Sequence, residues 1–299
     1  MKHVARAWAP RLALLSRALL CATFLDDALR LALQPPGPMA MLGPVPLGAA
    51  AFQPFVGLVV ELFGSLCLIA LFRPGRASLA LAAWSLLQPF LFGQLSNALL
   101  VSSSLSVVGG LLLVRASHVP TSPYAQLLGR LLIPAPYVCF AGWLLASSLE
   151  LSETTSLPSY LADLSIFLVS FLAFLALLLG SALVALGLRS RKVALAAALA
   201  NLAYAFHAHP FFLYASRCPD PVGCSRGWEY SDAMPFPAVS IPFPLTPADF
   251  TLAEIYDLHR CYFFLAVSCT GALLVLAQAG PGEIAAQKDE AILPTRAQD

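Results

Sequence analysis

The chain has 299 residues, a formal net charge of +1, and 11% charged against 59% hydrophobic residues. Its mean hydropathy of +0.78 sets it apart from soluble domains, where about 25% charge is usual. With no long basic run, P-loop or dinucleotide fingerprint, nucleic-acid binding and soluble nucleotide chemistry are excluded.

Lys2, Arg6 and Arg11 precede an apolar run that imitates a signal peptide. Arg17 interrupts the run, and Asp26, Asp27 and Arg30 follow it without a small-x-small cleavage site. A retained first span, Arg11–Leu33, is therefore expected, with its N-terminus cytosolic. Pro35, Pro36 and Pro38 end it. Asp26 and Arg30 stand four apart and share a helical face, so they can pair. With Asp27 they read either as a self-neutralised interfacial group or as the polar lining of a cavity open to the lumen.

A spanning helix needs about 20 mostly apolar residues. The second span is Ala50–Phe72, stopped by Arg73-Pro74-Gly75-Arg76. Glu61 lies in mid-span with no basic residue in its own helix. It reads as a carboxyl bonded to a neighbouring helix, or as part of a ligand cavity. Ala77–Val114 is uncharged and too long for one span. It predicts two, the third and fourth, joined by the polar turn Gln94-Leu95-Ser96-Asn97.

The fifth span, Tyr124–Leu149, runs to the acidic Glu150 and Glu153 and is expected to kink at Pro134 and Pro136. The sixth is Tyr160–Leu188, the seventh Val193–Tyr214, and the eighth Leu258–Ala279, closed by Gly280-Pro281-Gly282. In the seventh, Asn201, Tyr204 and His207 repeat every three residues and share a face. His207 and His209, two apart, point about 200° away from each other in a helix. No metal site is expected from them, and no HExxH or cysteine cluster suggests one. Asp257, His259, Arg260 and Tyr262 open the last span, with Asp257 and Arg260 placed for an i,i+3 pair.

The segment Ala215–Asp257 between the last two spans is rich in proline. A loop this long is either functional or a tolerated insertion. It holds Cys218 and Cys224 in Cys-Pro-Asp-Pro-Val-Gly-Cys, a disulfide candidate if that side is the endoplasmic reticulum lumen. The other five cysteines fall in or beside spans and read as small packing residues. Without CxxC, a nucleophile elbow or a triad, no catalytic residue, cofactor or enzyme activity is expected.

The basic residues then sort by side. All but Arg30, Arg217, Arg226 and Arg260 fall on the side of the termini, which is the bias of short cytosolic loops. The halves also echo each other. Gly64-Ser65, Arg73, Arg76 and Leu79-Ala80 recur at one constant offset as Gly180-Ser181, Arg189, Lys192 and Leu195-Ala196. Ser16-Arg17-Ala18-Leu19-Leu20 likewise parallels Gly129-Arg130-Leu131-Leu132-Ile133, and Gly110 parallels Gly271. The expected fold is an all-α polytopic membrane protein of about eight transmembrane helices, arranged as two parallel four-helix repeats with both termini cytosolic. The divisions are 1–116, 117–283 with the luminal loop 215–257 inside it, and a cytosolic tail 284–299.

Several segments, in order, resemble the surfeit-locus protein 4 family of early secretory cargo receptors. They begin with Leu20-Cys21-Ala22-Thr23-Phe24-Leu25-Asp26-Asp27-Ala28-Leu29-Arg30, similar to the family's charged first span. Val107-Val108-Gly109-Gly110-Leu111-Leu112-Leu113, Tyr124-Ala125-Gln126-Leu127-Leu128-Gly129-Arg130, the Lys192–Tyr204 stretch, Gly271-Ala272-Leu273-Leu274-Val275 and Gly280-Pro281-Gly282 follow. The resemblance implies a membrane receptor that cycles between endoplasmic reticulum and Golgi. Its implied partners are soluble secretory cargo with short hydrophobic N-terminal signals, the COPII coat and the lipid bilayer, and no nucleic acid. Self-association is left open. By the same resemblance Asp26, Asp27 and Arg30 belong to the cargo or cavity group; Glu61, Asn201, Tyr204, His207, Asp257 and Tyr262 join them as candidates from the residues alone. Two departures stand out: the chain ends Leu293-Pro294-Thr295-Arg296-Ala297-Gln298-Asp299 without the dilysine retrieval signal of some relatives, and the Ala215–Asp257 loop is longer than the family's usual segment. A transporter or lipid-moving protein is the alternative, since parallel repeats and intramembrane acids fit that class too. A redox enzyme, suggested by a distant likeness to DoxX-type membrane proteins, lacks the paired histidines and CxxC it would need.

Overall fold

In a computed structural model of the chain, residues 2–33, 47–91, 94–119, 123–149, 157–209, 211, 215–217, 228–230, 252–280, 282 and 284–286 are described. Side chains are described from residue 10 and, within the helices, not for 47–54, 147–163, 166 or 252–258. Ten helices form among these residues: α1 Lys2–Leu20, α2 Ala22–Leu33, α3 Leu47–Ile69, α4 Pro74–Leu91, α5 Ala98–His118, α6 Pro123–Leu132, α7 Ala135–Leu149, α8 Leu157–Leu186, α9 Ser190–Ala208 and α10 Leu252–Ala279. The protein is an all-α membrane protein in its architecture. Four described segments are long and apolar enough to cross a bilayer: Ala98–His118, Pro123–Ala146, Phe167–Leu186 and His259–Ala279. Phe55–Ile69 is apolar but shorter.

Local chemistry sets most boundaries. The α1–α2 rod only dimples at Cys21, because Cys21 N–H still reaches Arg17 O and Leu25 N–H reaches Cys21 O, both at 3.0 Å. Pro74 and Pro123 begin α4 and α6, where a missing N–H leaves no helical bond unmade. Asn97 caps α5, its side chain accepting Leu100 N–H at 3.0 Å, so the polar turn expected at 94–97 is there. At the expected kink the helix is interrupted at Ile133 and Pro134, between α6 and α7.

The turns α3–α4 and α8–α9 have the same backbone. Leu71 (φ 58°) and Arg73 (φ 47°) are left-handed, as are Gly187 (φ 73°) and Arg189 (φ 48°). Phe72 N–H bonds Cys67 O at 2.8 Å, and Leu188 N–H bonds Leu183 O at 2.9 Å. Arg76 N–H to Arg73 O and Lys192 N–H to Arg189 O both measure 3.0 Å.

Packing follows one scheme in each half. α1 and α2 lie on α10, as α6 and α7 lie on α5. α3 packs on α2 and α4, as α8 does on α7 and α9; α4 packs on α5 and α9 on α10. The centre is the α5–α10 contact, where Gly110 faces Ala272 and Leu20, and Gly271 faces the Leu20 backbone. Glycine there lets helix backbones approach, the usual means of tight packing in a bilayer. Leu20, Leu111, Leu273 and Leu276 are fully buried around it. The spanning window of α10 is 72% buried and that of α8 only 11%, so α10 is central and α8 peripheral.

Two expected bounds are corrected. The seventh span was expected to reach Tyr214, but α9 ends at Ala208, its last turn closed by His209 N–H on Ala205 O at 3.1 Å. The Ala215–Asp257 loop was expected to run unbroken to the eighth span, yet α10 already begins at Leu252, and Ala215–Arg217 (β1) pairs antiparallel with Trp228–Tyr230 (β2). Cys218, Cys224 and the tail beyond residue 286 lie outside the described residues.

Candidate functional site

Two polar centres form, one in each half. The first gathers α2, α3, α4 and α10. Asp26, on the buried face of α2, takes an ion-pair partner from the far end of the chain: Arg260 of α10 donates Nε–H at 2.8 Å and Nη2–H at 2.6 Å to its Oδ1. The in-helix pair with Arg30 was expected, as was Asp257–Arg260. The structure also joins Asp26 to Arg260, because α10 packs along α2 and brings the guanidinium into the cluster. The Asp257 side chain lies outside the described residues. Arg30 is near enough to act electrostatically on both Asp27 and Glu61.

Glu61 is 1% exposed. Trp84 Nε1–H donates to its Oε1 at 2.6 Å and Gln88 Nε2–H donates to the same atom at 2.8 Å. The neighbouring helix that the buried carboxyl called for is therefore α4. Gln88 Nε2–H also points to Asp27 Oδ2, at a long 3.5 Å, linking the two acids. Glu61 Oε2 is buried without a hydrogen-bond partner among the described residues. An unpaired buried acceptor is costly, so this atom and Asp27 are the acceptors with spare capacity in the cluster. The sequence reading missed Trp84 and Gln88. Their signal was present: two hydrogen-bond donors four apart, hence on one face, in an otherwise uncharged span.

The second centre is a cavity of about 530 Å³ among α5, α7, α8, α9 and α10. Asn201, Tyr204 and Tyr262 line it, as do His209 and Tyr137. Asn201 Nδ2–H bonds Ala266 O at 2.7 Å and Thr270 Oγ1 at 2.9 Å, fixing α9 to α10. Tyr262 Oη accepts Asn97 Nδ2–H at 3.0 Å, so the residue that caps α5 also holds α10.

His207 is not brought into this group; it is exposed on the outer face of α9. His209 takes the place expected for it. The helix ends at Ala208, and His209 (φ −131°, ψ 51°) leaves the helical path, which turns its ring back under Tyr204 and onto Tyr262. His209 Nδ1 lies 3.0 Å from His259 Nδ1, so one ring donates and the other accepts. Among the described residues no group of three or more His, Cys, Asp or Glu side chains is placed to hold a metal ion.

The sequence model described as the SURF4 family matches residues 1–217. No curated protein and no solved structure matches the chain.

Proposed function

The chain belongs to the SURF4 family, since that family's model covers more than half of it, and from this premise we propose that it is an endoplasmic reticulum cargo receptor, not an enzyme. It binds soluble secretory proteins in the lumen and passes them to the COPII coat for transport to the Golgi. Eight spans carry this out, in two parallel repeats with cytosolic termini. The matching turns at Leu71–Arg73 and Gly187–Arg189 support the repeat, and the basic bias of the short turns supports the orientation.

The observation that carries the reading is the acidic cluster of buried Asp26 and Glu61 with half-buried Asp27. Arg260 occupies Asp26. Asp27 and the orphaned Glu61 Oε2 keep acceptor capacity. A cargo's free amino terminus is a donor cation of the right sign for that pair, and the apolar span walls suit hydrophobic residues that follow it. Asp27 is the contact residue on this reading, and Asp26 with Arg260 positions it.

The test is proximity capture of luminal clients with the wild-type chain and with Asp27→Asn, followed by secretion kinetics. Asp27→Asn removes the charge and keeps the shape. Clients that are captured by the wild type, lost by the variant, and secreted slowly in its presence would support the receptor. Unchanged capture by a correctly folded Asp27→Asn protein would refute the assignment. Unslowed clients together with altered movement of a solute or lipid would favour the transporter alternative.

A further inference from the structure

The cavity of the second half has a physical origin in the comparison of the two halves. In the first, Leu81 packs on Gly64 and Trp84 on Gly57, so closely that a Cβ on either glycine would collide with them. At the offset that relates the two left-handed turns, Leu81 corresponds to Ala197, Trp84 to Ala200 and Gly64 to Gly180. The large side chains have become alanines, and Gly180 meets only a Val193 methyl at 3.9 Å. Space that indole and isobutyl groups fill between α3 and α4 is empty between α8 and α9.

The polarity has changed as well. At the offset that pairs Ser16-Arg17 with Gly129-Arg130, Phe24, 1% exposed, corresponds to Tyr137. Tyr137 Oη and Ser181 Oγ both belong to residues lining the cavity, and both atoms are buried with no hydrogen-bond partner among the described residues. Ser181 is 6% exposed. Two orphaned hydroxyls on residues that line an apolar cavity are destabilising unless something bonds them. Among the described residues the lining has no Asp, Glu, Lys or Arg. The outer wall is α8, which exposes Leu168, Leu172, Leu175 and Leu179 on its far side. The cavity therefore lies on the inner side of a helix whose outer face is apolar.

We propose that this cavity, bounded by Tyr137, Ser181, Ala197 and Ala200, is a binding site for one neutral, hydroxyl-bearing membrane lipid. The volume lies within the range of about 300–1,000 Å³ usual for small-ligand sites. The lack of charge disfavours a phosphate headgroup or a peptide amino terminus. The two orphaned hydroxyls need a partner that donates and accepts, which a lipid hydroxyl does. Sterols and diacylglycerols share this chemistry. The site is separate from the acidic cluster, and it stands or falls independently of the cargo assignment.

The experiment uses the full chain in native membranes with three photoreactive probes: a sterol, a diacylglycerol and a phosphatidylcholine. Labelled peptides are mapped for the wild type, Ala200→Trp, Ala197→Leu and Tyr137→Phe. The two filling variants restore side chains the first half already accommodates, and Tyr137→Phe restores that half's phenylalanine. The expected result is labelling of α7–α9 by the sterol or the diacylglycerol, whichever is the ligand. Either filling variant should lower it about tenfold, and Tyr137→Phe about three- to tenfold, the effect of one lost hydrogen bond. Equal labelling by phosphatidylcholine, or labelling that no variant lowers, would mean ordinary lipid contact and overturn the proposal. So would protection of the cavity by an N-terminal cargo peptide but not by unlabelled sterol or diacylglycerol. Cargo capture by Ala200→Trp, read in the same membranes, separates this result from that for Asp27→Asn.

Discussion

Arg260→Met should cost far more than the loss of a surface charge. Arg260 donates twice to one oxygen of Asp26, at 2.6 and 2.8 Å, and the two side chains are 18% and 4% exposed. A solvent-exposed pair contributes about 0–1 kcal/mol. Removing one partner of a buried pair strands the other charge and costs about 3–5 kcal/mol. The residual exposure of Arg260 argues for the lower end. About 3 kcal/mol corresponds to roughly a hundredfold in the folding equilibrium. The partners lie 234 positions apart, so the pair ties α10 to α2 across nearly the whole chain. Reversible unfolding in bicelles of Arg260→Met, Asp26→Asn and the double variant forms the necessary cycle. Each single substitution should lose about 3 kcal/mol, and the double variant should lose about as much as one single variant, leaving a coupling of about 3 kcal/mol. A cost under about 1 kcal/mol for Arg260→Met, with an additive double variant, would show that burial does not strengthen this pair.

Asn97 serves two contacts, so Asn97→Ala should lose about 1 kcal/mol of cap and about 0.6 kcal/mol of intramembrane hydrogen bond to Tyr262. Asn97→Ser keeps a capping oxygen and should recover most of the first contribution in the same unfolding assay; if serine is no better than alanine, the cap is not what matters. Glycine substitutions should split by site. Gly271→Ala drives a methyl group into the Leu20 backbone and should destabilise by about 1–3 kcal/mol. Gly142→Ala meets nothing within 4 Å and should be neutral or stabilise α7 by up to about 1 kcal/mol. Similar melting shifts for both variants would contradict the close α1–α10 approach.

Local features were legible because their causes are local. Long uncharged runs fold as helices in a bilayer, where the backbone must satisfy its own hydrogen bonds. Arg73-Pro74-Gly75-Arg76 marked a stop, Gln94–Asn97 a polar turn and Pro134 a kink, and the helices end or are interrupted at all three. Family membership and the acidic group Asp26, Asp27 and Glu61 were also readable from residue types in order. Helix ends within polar or proline-rich stretches were not, as His209 and Leu252 show.

Partnership between helices was decided only by tertiary structure. Asp26 had a basic neighbour one turn away in Arg30, yet the contact with Arg260 depends on α10 lying along α2. Trp84 and Gln88 meet Glu61 because α4 turns that face, not another equally apolar one, toward α3. When nearly every helix face is leucine or alanine, sequence period cannot choose which face turns inward. The glycine contacts and a few hydrogen bonds set the rotation. The cavity is the clearest case: Ala197 and Ala200 are ordinary helix residues until packing places both on the cavity wall.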